Sequence, residues 1–146
     1  MRIVLQRVTS ASVSVDREVI AGIDAGLLLL VGFGREDTDP ALARVASRIV
    51  NLRGFPDRSG KLQHSVLETG GGVLAVPQFT LYGDTAKGRR PDFTGALTPE
   101  RARDLFDRFV IALRETGIER LEAGRFGADM AVALVNDGPL TLMLEF

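Results

Sequence analysis

Five consecutive apolar residues, Leu27-Leu28-Leu29-Leu30-Val31, limit what this chain can fold into. A half-buried strand alternates apolar with polar positions, so an unbroken run predicts a strand covered on both faces. Extended to Phe33 with Gly32 inside it, the run is far short of the ~20 residues of a membrane-spanning helix. Its cover must come from elsewhere in the chain. Asp39-Pro40 predicts an N-cap with proline at the first helical position, where a missing N–H costs nothing. From there Leu42, Val45, Ala46, Ile49 and Val50 form one apolar stripe at helical spacing that stops before Gly54. Thr98-Pro99 opens a second helix in the same way, and Ala102, Leu105, Phe106, Phe109, Val110 and Leu113 continue it towards Gly117. Both stripes are read as core.

The remaining elements are strands. Arg2 to Val8 has strand composition, and Ala11 to Val15 alternates small or polar with apolar residues. Asp16-Arg17 turns the chain into Glu18 to Ile23, a hairpin partner, and Asp24-Ala25-Gly26 leads into the leucine run. Leu62 to Leu67 and Val73 to Val76 follow. Gly70-Gly71-Gly72 lacks the strand and helix context of a phosphate loop and reads as a flexible turn. The order of elements predicts one domain, residues 1–146, of α/β (α+β) class with a mostly antiparallel sheet.

Composition narrows the chemistry. With 146 residues, 45% hydrophobic and 25% charged, the chain is an ordinary globular domain with a real core. A net charge of -1 excludes a surface built throughout for nucleic acid. The absence of cysteine removes thiolate catalysis, disulfides and cysteine-ligated zinc. His64 is the single histidine, so imidazole clusters are excluded, and without a Ser-Asp pattern beside it a structural role is expected. No G-x-S-x-G, HExxH, GxGxxG or Walker pattern occurs. The polar first residues, Met1 to Arg7, do not form a signal-peptide core, and a cytoplasmic protein is expected.

Two polar corners and one loop remain. Asn136-Asp137-Gly138-Pro139-Leu140-Thr141 lies between two apolar strand-like segments and, as residues alone, predicts a hairpin turn. Pro77-Gln78-Phe79-Thr80 also ends an apolar strand, so the two corners are candidates to face one pocket. Lys87, Arg89 and Arg90, with Gly88 among them, form a small exposed basic loop. Such a run is usually solvated, but one flanked by Tyr82 and Phe93 as stacking surfaces suits an RNA end or loop.

These blocks carry a resemblance. Met1 to Val15, Gln78-Phe79-Thr80-Leu81-Tyr82-Gly83-Asp84, Gly88-Arg89-Arg90-Pro91, Gly124-Arg125-Phe126-Gly127-Ala128-Asp129-Met130 and Asn136 to Thr141 are similar, in order and spacing, to the D-aminoacyl-tRNA deacylases. The resemblance runs from end to end. It implies a barrel-like sheet with two amphipathic helices, and a cytoplasmic homodimer without metal or cofactor. The implied activity is hydrolysis of the ester between a D-amino acid, or mischarged glycine, and the 3′ end of tRNA. Gln78, Phe79 and Thr80 are the implied catalytic corner, and Lys87, Arg89 and Arg90 the tRNA contacts.

Chiral selection is assigned by the resemblance to Gly138 and Pro139, with Asn136, Thr141 and Arg7 around them. The Gly138-Pro139 peptide is expected to be cis and to reach into the partner's pocket, with Arg7 holding its carbonyls by charged hydrogen bonds. A non-catalytic module that binds the tRNA 3′ end is the rival expectation. Two departures stand out. Pro77 occupies a position where relatives usually carry Ser, and Leu62-Gln63 replaces a frequent Met-Asn pair.

Overall fold

A computed structural model describes residues 1–38, 41–86 and 88–146. The predicted Asp39-Pro40 cap and Lys87 lie outside the described residues. In chain order the elements are β1 (Arg2–Val15), β2 (Glu18–Ile23), β3 (Gly26–Gly32), α1 (Leu42–Val50), β4 (Phe55–Pro56) and β5 (Leu62–His64). They continue with α2 (Val66–Thr69), β6 (Gly72–Pro77), a 3-10 turn (Phe79–Tyr82), α3 (Pro99–Glu115), β7 (Leu121–Ala123) and β8 (Ala131–Glu145).

The long first strand is the hub of a mixed sheet. On one edge β1 pairs antiparallel with β8 along nearly its whole length. Its other edge is shared, with β3 opposite Arg2 to Val8 and β2 opposite Ala11 to Val15. Then β6 and β7 extend the sheet from β3 by parallel pairing. Sharing one edge between two strands curls the sheet, because β2 folds back towards β6 and β7. The leucine run is covered on both sides as its composition requires. Leu27, Leu29 and Val31 pack with α1 and α3 in the main core, whereas Leu28 packs with Val8, Val13, Leu74 and Val76 inside the curl. Both helical stripes are buried as predicted, with Val110 only partly so. Full burial of a side chain such as Phe109 contributes about 1.5–3 kcal/mol.

Three expectations need correction. The segment after β5 is not all strand: Ser65 accepts the Glu68 N–H while Glu68 takes the Ser65 N–H at 2.6 Å, and this capping box turns Val66–Thr69 into the short α2. The triple glycine is no flexible break, since Gly70 closes α2 and Gly72 already belongs to β6. The third concerns Asn136 to Thr141, which is not a hairpin turn. Val8 faces Asn136 and Gln6 faces Thr141, so two steps along β1 oppose five along β8, and the intervening residues bulge from one continuous strand. Turn residues satisfy a bulge as readily as a hairpin, and only pairing to β1 distinguishes them. No helix among the described residues is long and apolar enough to cross a membrane.

Candidate active site

The first corner is set where β6 ends. The Gln78 N–H donates to the Val31 carbonyl at 2.7 Å, extending the parallel ladder by one bond, and the chain then tightens into the 3-10 turn. Pro77 costs the sheet nothing there. Alternation along the strand turns its nitrogen to the β7 side, where the ladder has stopped at Ala75 opposite Ala123 and Gly124 approaches the proline ring. Below the turn, Arg2 donates to the Leu81 carbonyl at 3.0 Å, places its guanidinium 4.6 Å from the centre of the Tyr82 ring and meets Glu145 at 3.0 Å.

Tyr82 packs so closely over Gly34 that a Cβ there would come within 2.7 Å of its ring. The side chain is therefore part of the foundation, and the expectation that it offers a stacking surface is not met. Burial, with the Asp37 carboxylate adding to it, pushes its hydroxyl up to about 12, so it stays protonated at neutral pH.

The working side of the turn carries Gln78, Phe79 and Thr80. The Gln78 side-chain amide donates to the Thr80 hydroxyl. An amide is not a base, so this contact does not activate the threonine as a nucleophile. Phe79 is 56% exposed and meets Phe93 edge-on, with ring centres 5.1 Å apart. A pocket of about 310 Å³ opens beside it, lined by Val76, Pro77, Gln78 and Phe79 on one side and by Phe126 to Met130 with Val132 on the other. Phe126 and Met130 line this candidate pocket although the motif assignment left them out. Their block, Gly124 to Met130, was visible as part of the resemblance, but nothing in its composition said that it lines the pocket.

The second corner does not line this pocket within the same chain. The neck of its bulge is closed by Asn136 Nδ2 donating to Thr141 Oγ1 at 2.9 Å, with Gln6 donating to the same hydroxyl at 3.3 Å. Gly138 and Pro139 form an exposed tip, joined by a cis peptide. Arg7, 7% exposed, lies beneath them. It donates to the Gly54 carbonyl at 2.7 Å, its Nε approaches the Asp137 carboxylate at 2.8 Å, and a Cβ on Gly138 would stand 2.5 Å from its Nη2. The Nε approach is close but poorly aligned as a hydrogen bond, so it acts chiefly as an ion-pair contact. Arg7 thus braces the bulge through Gly54 and Asp137, rather than through the Gly138 and Pro139 carbonyls that the resemblance suggested.

The basic loop hangs from the same turn. Asp84 and Asp92 exchange backbone hydrogen bonds of 2.7 and 2.9 Å, closing the loop at its stem and leaving Arg89 and Arg90 exposed. The Asp92 carboxyl is held below its ordinary range by hydrogen bonds from Thr94. His64 is exposed on the β4–β5 hairpin, outside the pocket's lining.

A curled mixed sheet with helices over one face, and a strand-end pocket walled by apolar side chains and main chain, define a small α+β protein with a candidate ligand pocket. Comparison with known proteins agrees. Residues 4–145 match the family model described as D-Tyr-tRNA(Tyr) deacylase. The chain is 54% identical to the D-aminoacyl-tRNA deacylase of Brevibacillus brevis and 52% identical to that of Teredinibacter turnerae, in each case over 99% of both chains. Among solved structures it superposes at a TM-score of 0.93 on one titled c-Myc DNA Unwinding Element Binding Protein, with 42% identity over 100% of this chain and 99% of the other. A probable eukaryotic D-amino acid tRNA deacylase, at 21% identity and a TM-score of 0.87 over 98% and 97% of the two chains, shares the fold. The chain belongs to the D-aminoacyl-tRNA deacylase family, whose members are hydrolases.

Proposed function

We propose that this protein hydrolyses the ester of D-aminoacyl-tRNA, and of glycyl-tRNA, releasing the amino acid and the tRNA 3′-hydroxyl, and that it does so as a homodimer in the cytoplasm. One observation carries the reading. The pocket beside Phe79 has no wall from its own Asn136 to Thr141 bulge, and that bulge presents Gly138 and Pro139 outward. A second copy supplies the missing wall. Support for pairing comes from β8, which pairs only with β1 among the described residues and displays Val135 and Met143 at 57% and 70% exposure. An open edge with exposed apolar side chains is a surface that proteins normally cover.

Handedness then follows from sterics. Exchanging enantiomers at Cα swaps a hydrogen for a side chain, so a rigid main-chain wall on one side of the pocket excludes every L-amino acid. Glycine has no side chain to exclude and is cleaved too. Main chain, unlike a side-chain contact, is indifferent to which D side chain enters. For the chemistry, water attacks the ester carbonyl and the oxyanion is received by N–H groups of Phe79 and Thr80, which a 3-10 turn leaves without internal partners in its first residues. The C–O bond to the ribose breaks, and the leaving 3′ oxygen takes a proton. The neighbouring 2′-hydroxyl of the terminal adenosine assists, and Gln78 and Thr80 shape the pocket. Arg89 and Arg90, with Lys87, contact the tRNA backbone.

Purified protein incubated separately with D-Tyr-tRNA and L-Tyr-tRNA tests this. Release from the D ester alone is expected; retention of tRNA without turnover would favour a module that only binds the 3′ end. Thr80→Ala should stay within about tenfold of wild type, because it removes no nucleophile. A substrate ending in 2′-deoxyadenosine should not turn over. The reverse pair of results would restore a covalent threonine mechanism.

A further inference from the structure

The two walls of the pocket part company at one rung of the sheet. Parallel pairing sets β6 against β7 with Val73 opposite Leu121 and Ala75 opposite Ala123. The Val73 N–H donates to the Arg120 carbonyl at 2.8 Å, and the Gly124 N–H donates to the Ala75 carbonyl at 2.8 Å. In such a ladder every second residue faces the neighbouring strand and bonds the residues on either side of its opposite number. The next donor owed to β7 is therefore at position 77, and its acceptor would be the Gly124 carbonyl. Position 77 is proline, which has no N–H to give.

Beyond that rung the two segments diverge. β6 runs into the Gln78 turn, held to β3 through the Val31 carbonyl. The segment after Gly124 becomes the Phe126 to Met130 wall. Its own main-chain bond is local, from the Ala128 N–H to the Arg125 carbonyl at 3.3 Å. Side chains anchor the wall: Phe126 lies tilted against Phe106 with ring centres 6.3 Å apart and has the Arg103 guanidinium 5.2 Å from its ring centre, and Met130 packs with the core inside the curl. A second observation marks the same point. A Cβ on Gly124 would stand 3.0 Å from the Met130 sulfur and 3.4 Å from Pro77 Cδ, so a bare backbone is what lets ring and thioether close over the fork. We infer that Pro77 is a positioning residue: by denying β6 its last bond to β7 it holds the Phe126 to Met130 wall away from the Gln78 to Thr80 turn, and so sets the width of the pocket between them. Its kinetic consequence rests on the ester hydrolysis proposed above.

Two replacements separate the missing N–H from the proline ring. Pro77→Ala restores an N–H, while the α-hydroxy analogue of alanine at the same position puts an ester oxygen there, changes the side chain equally and restores none. In Pro77→Ala the new amide should exchange with solvent at least about a hundredfold more slowly than in an unfolded chain, the mark of a closed rung. With the wall drawn inward, KM for D-Tyr-tRNA should rise about fivefold while kcat stays within about twofold, because the turn remains fastened to Val31. The α-hydroxy analogue should recover at least about half of that rise. A merely structural proline would lower the urea midpoint in both variants and leave their KM values equal. Equal KM values, or an unprotected amide at position 77, would overturn the inference. Failure of the wild-type protein to cleave D-Tyr-tRNA would instead refute the deacylase reading, and the exchange measurement would still decide the rung.

Discussion

The two polar corners are built from similar residue types but are held in different ways. The Gln78 to Tyr82 turn is fastened from below by its own chain, through the Val31 carbonyl, the Arg2 contacts and the bare backbone of Gly34 under Tyr82. Among the described residues the Asn136 to Thr141 bulge is fastened at its root, by the Asn136–Thr141 bond, by Gln6 and by Arg7, and its tip stands exposed. One corner is finished within a single chain. The other has a braced base and an exposed end, the form that the proposed dimer requires.

Substitutions at the two corners should therefore separate activity from stability. The largest effect is expected from Gly138→Ala. At φ 109° an L side chain is strained whatever the space, and the new Cβ would stand 2.5 Å from the Nη2 of Arg7, so that Arg7 would have to shift from its contacts with Gly54 and Asp137. Release of D-tyrosine from D-Tyr-tRNA should fall about a hundredfold by displacement of the tip. Unchanged release would mean that the bulge does no work in the site.

Arg7→Ala should reverse the balance, costing about 2–4 kcal/mol in urea denaturation because the Gly54 carbonyl and Asp137 lose a buried partner. Asp137 is half exposed, which keeps the figure below that of a fully buried pair. A smaller effect, about 1–3 kcal/mol with a several-fold drop in kcat, is expected of Gly34→Ala, which crowds the Tyr82 ring and tilts the turn.

Smallest is Ser65→Ala, far from both corners, at about 1 kcal/mol and with kcat unchanged. The same capping box has an acid signature. Hydrogen bonds from Ser65 hold the Glu68 carboxyl below the ordinary glutamate value of 4.5. Its contribution is therefore complete above that value and is lost as pH falls through the lower, folded one. Unfolding measured from neutral to acid pH should show a flatter acid limb in Glu68→Gln.

Much of the fold was legible locally. The unbroken run from Leu27 to Val31 required cover on two faces, and the stripes from Leu42 to Val50 and Ala102 to Leu113 supplied it by helical periodicity. Gln78, Phe79, Gly138 and Pro139 were legible as short blocks in a fixed order. What escaped was decided by contacts between distant residues. Nothing in Asn136 to Thr141 distinguishes a hairpin from a bulge, because Gly, Pro, Asn and Asp satisfy either, and the choice belongs to the register against Gln6 and Val8. Tyr82 reads as an exposed aromatic in a basic loop until Arg2 and Gly34 are seen to enclose it.

The amino-acid sequence alone determined an α+β fold without cysteine chemistry, carrying two polar corners beside apolar strand segments. Periodicity and residue chemistry are local properties, and they are written in the order of the side chains. Tertiary structure alone decided that Phe126 and Met130 wall the pocket, that Arg7 braces the bulge through Gly54 and Asp137, and that Gly124 lies against Pro77. Each of these joins residues far apart in the chain, and such proximity exists only once the sheet has curled and the helices have closed over it.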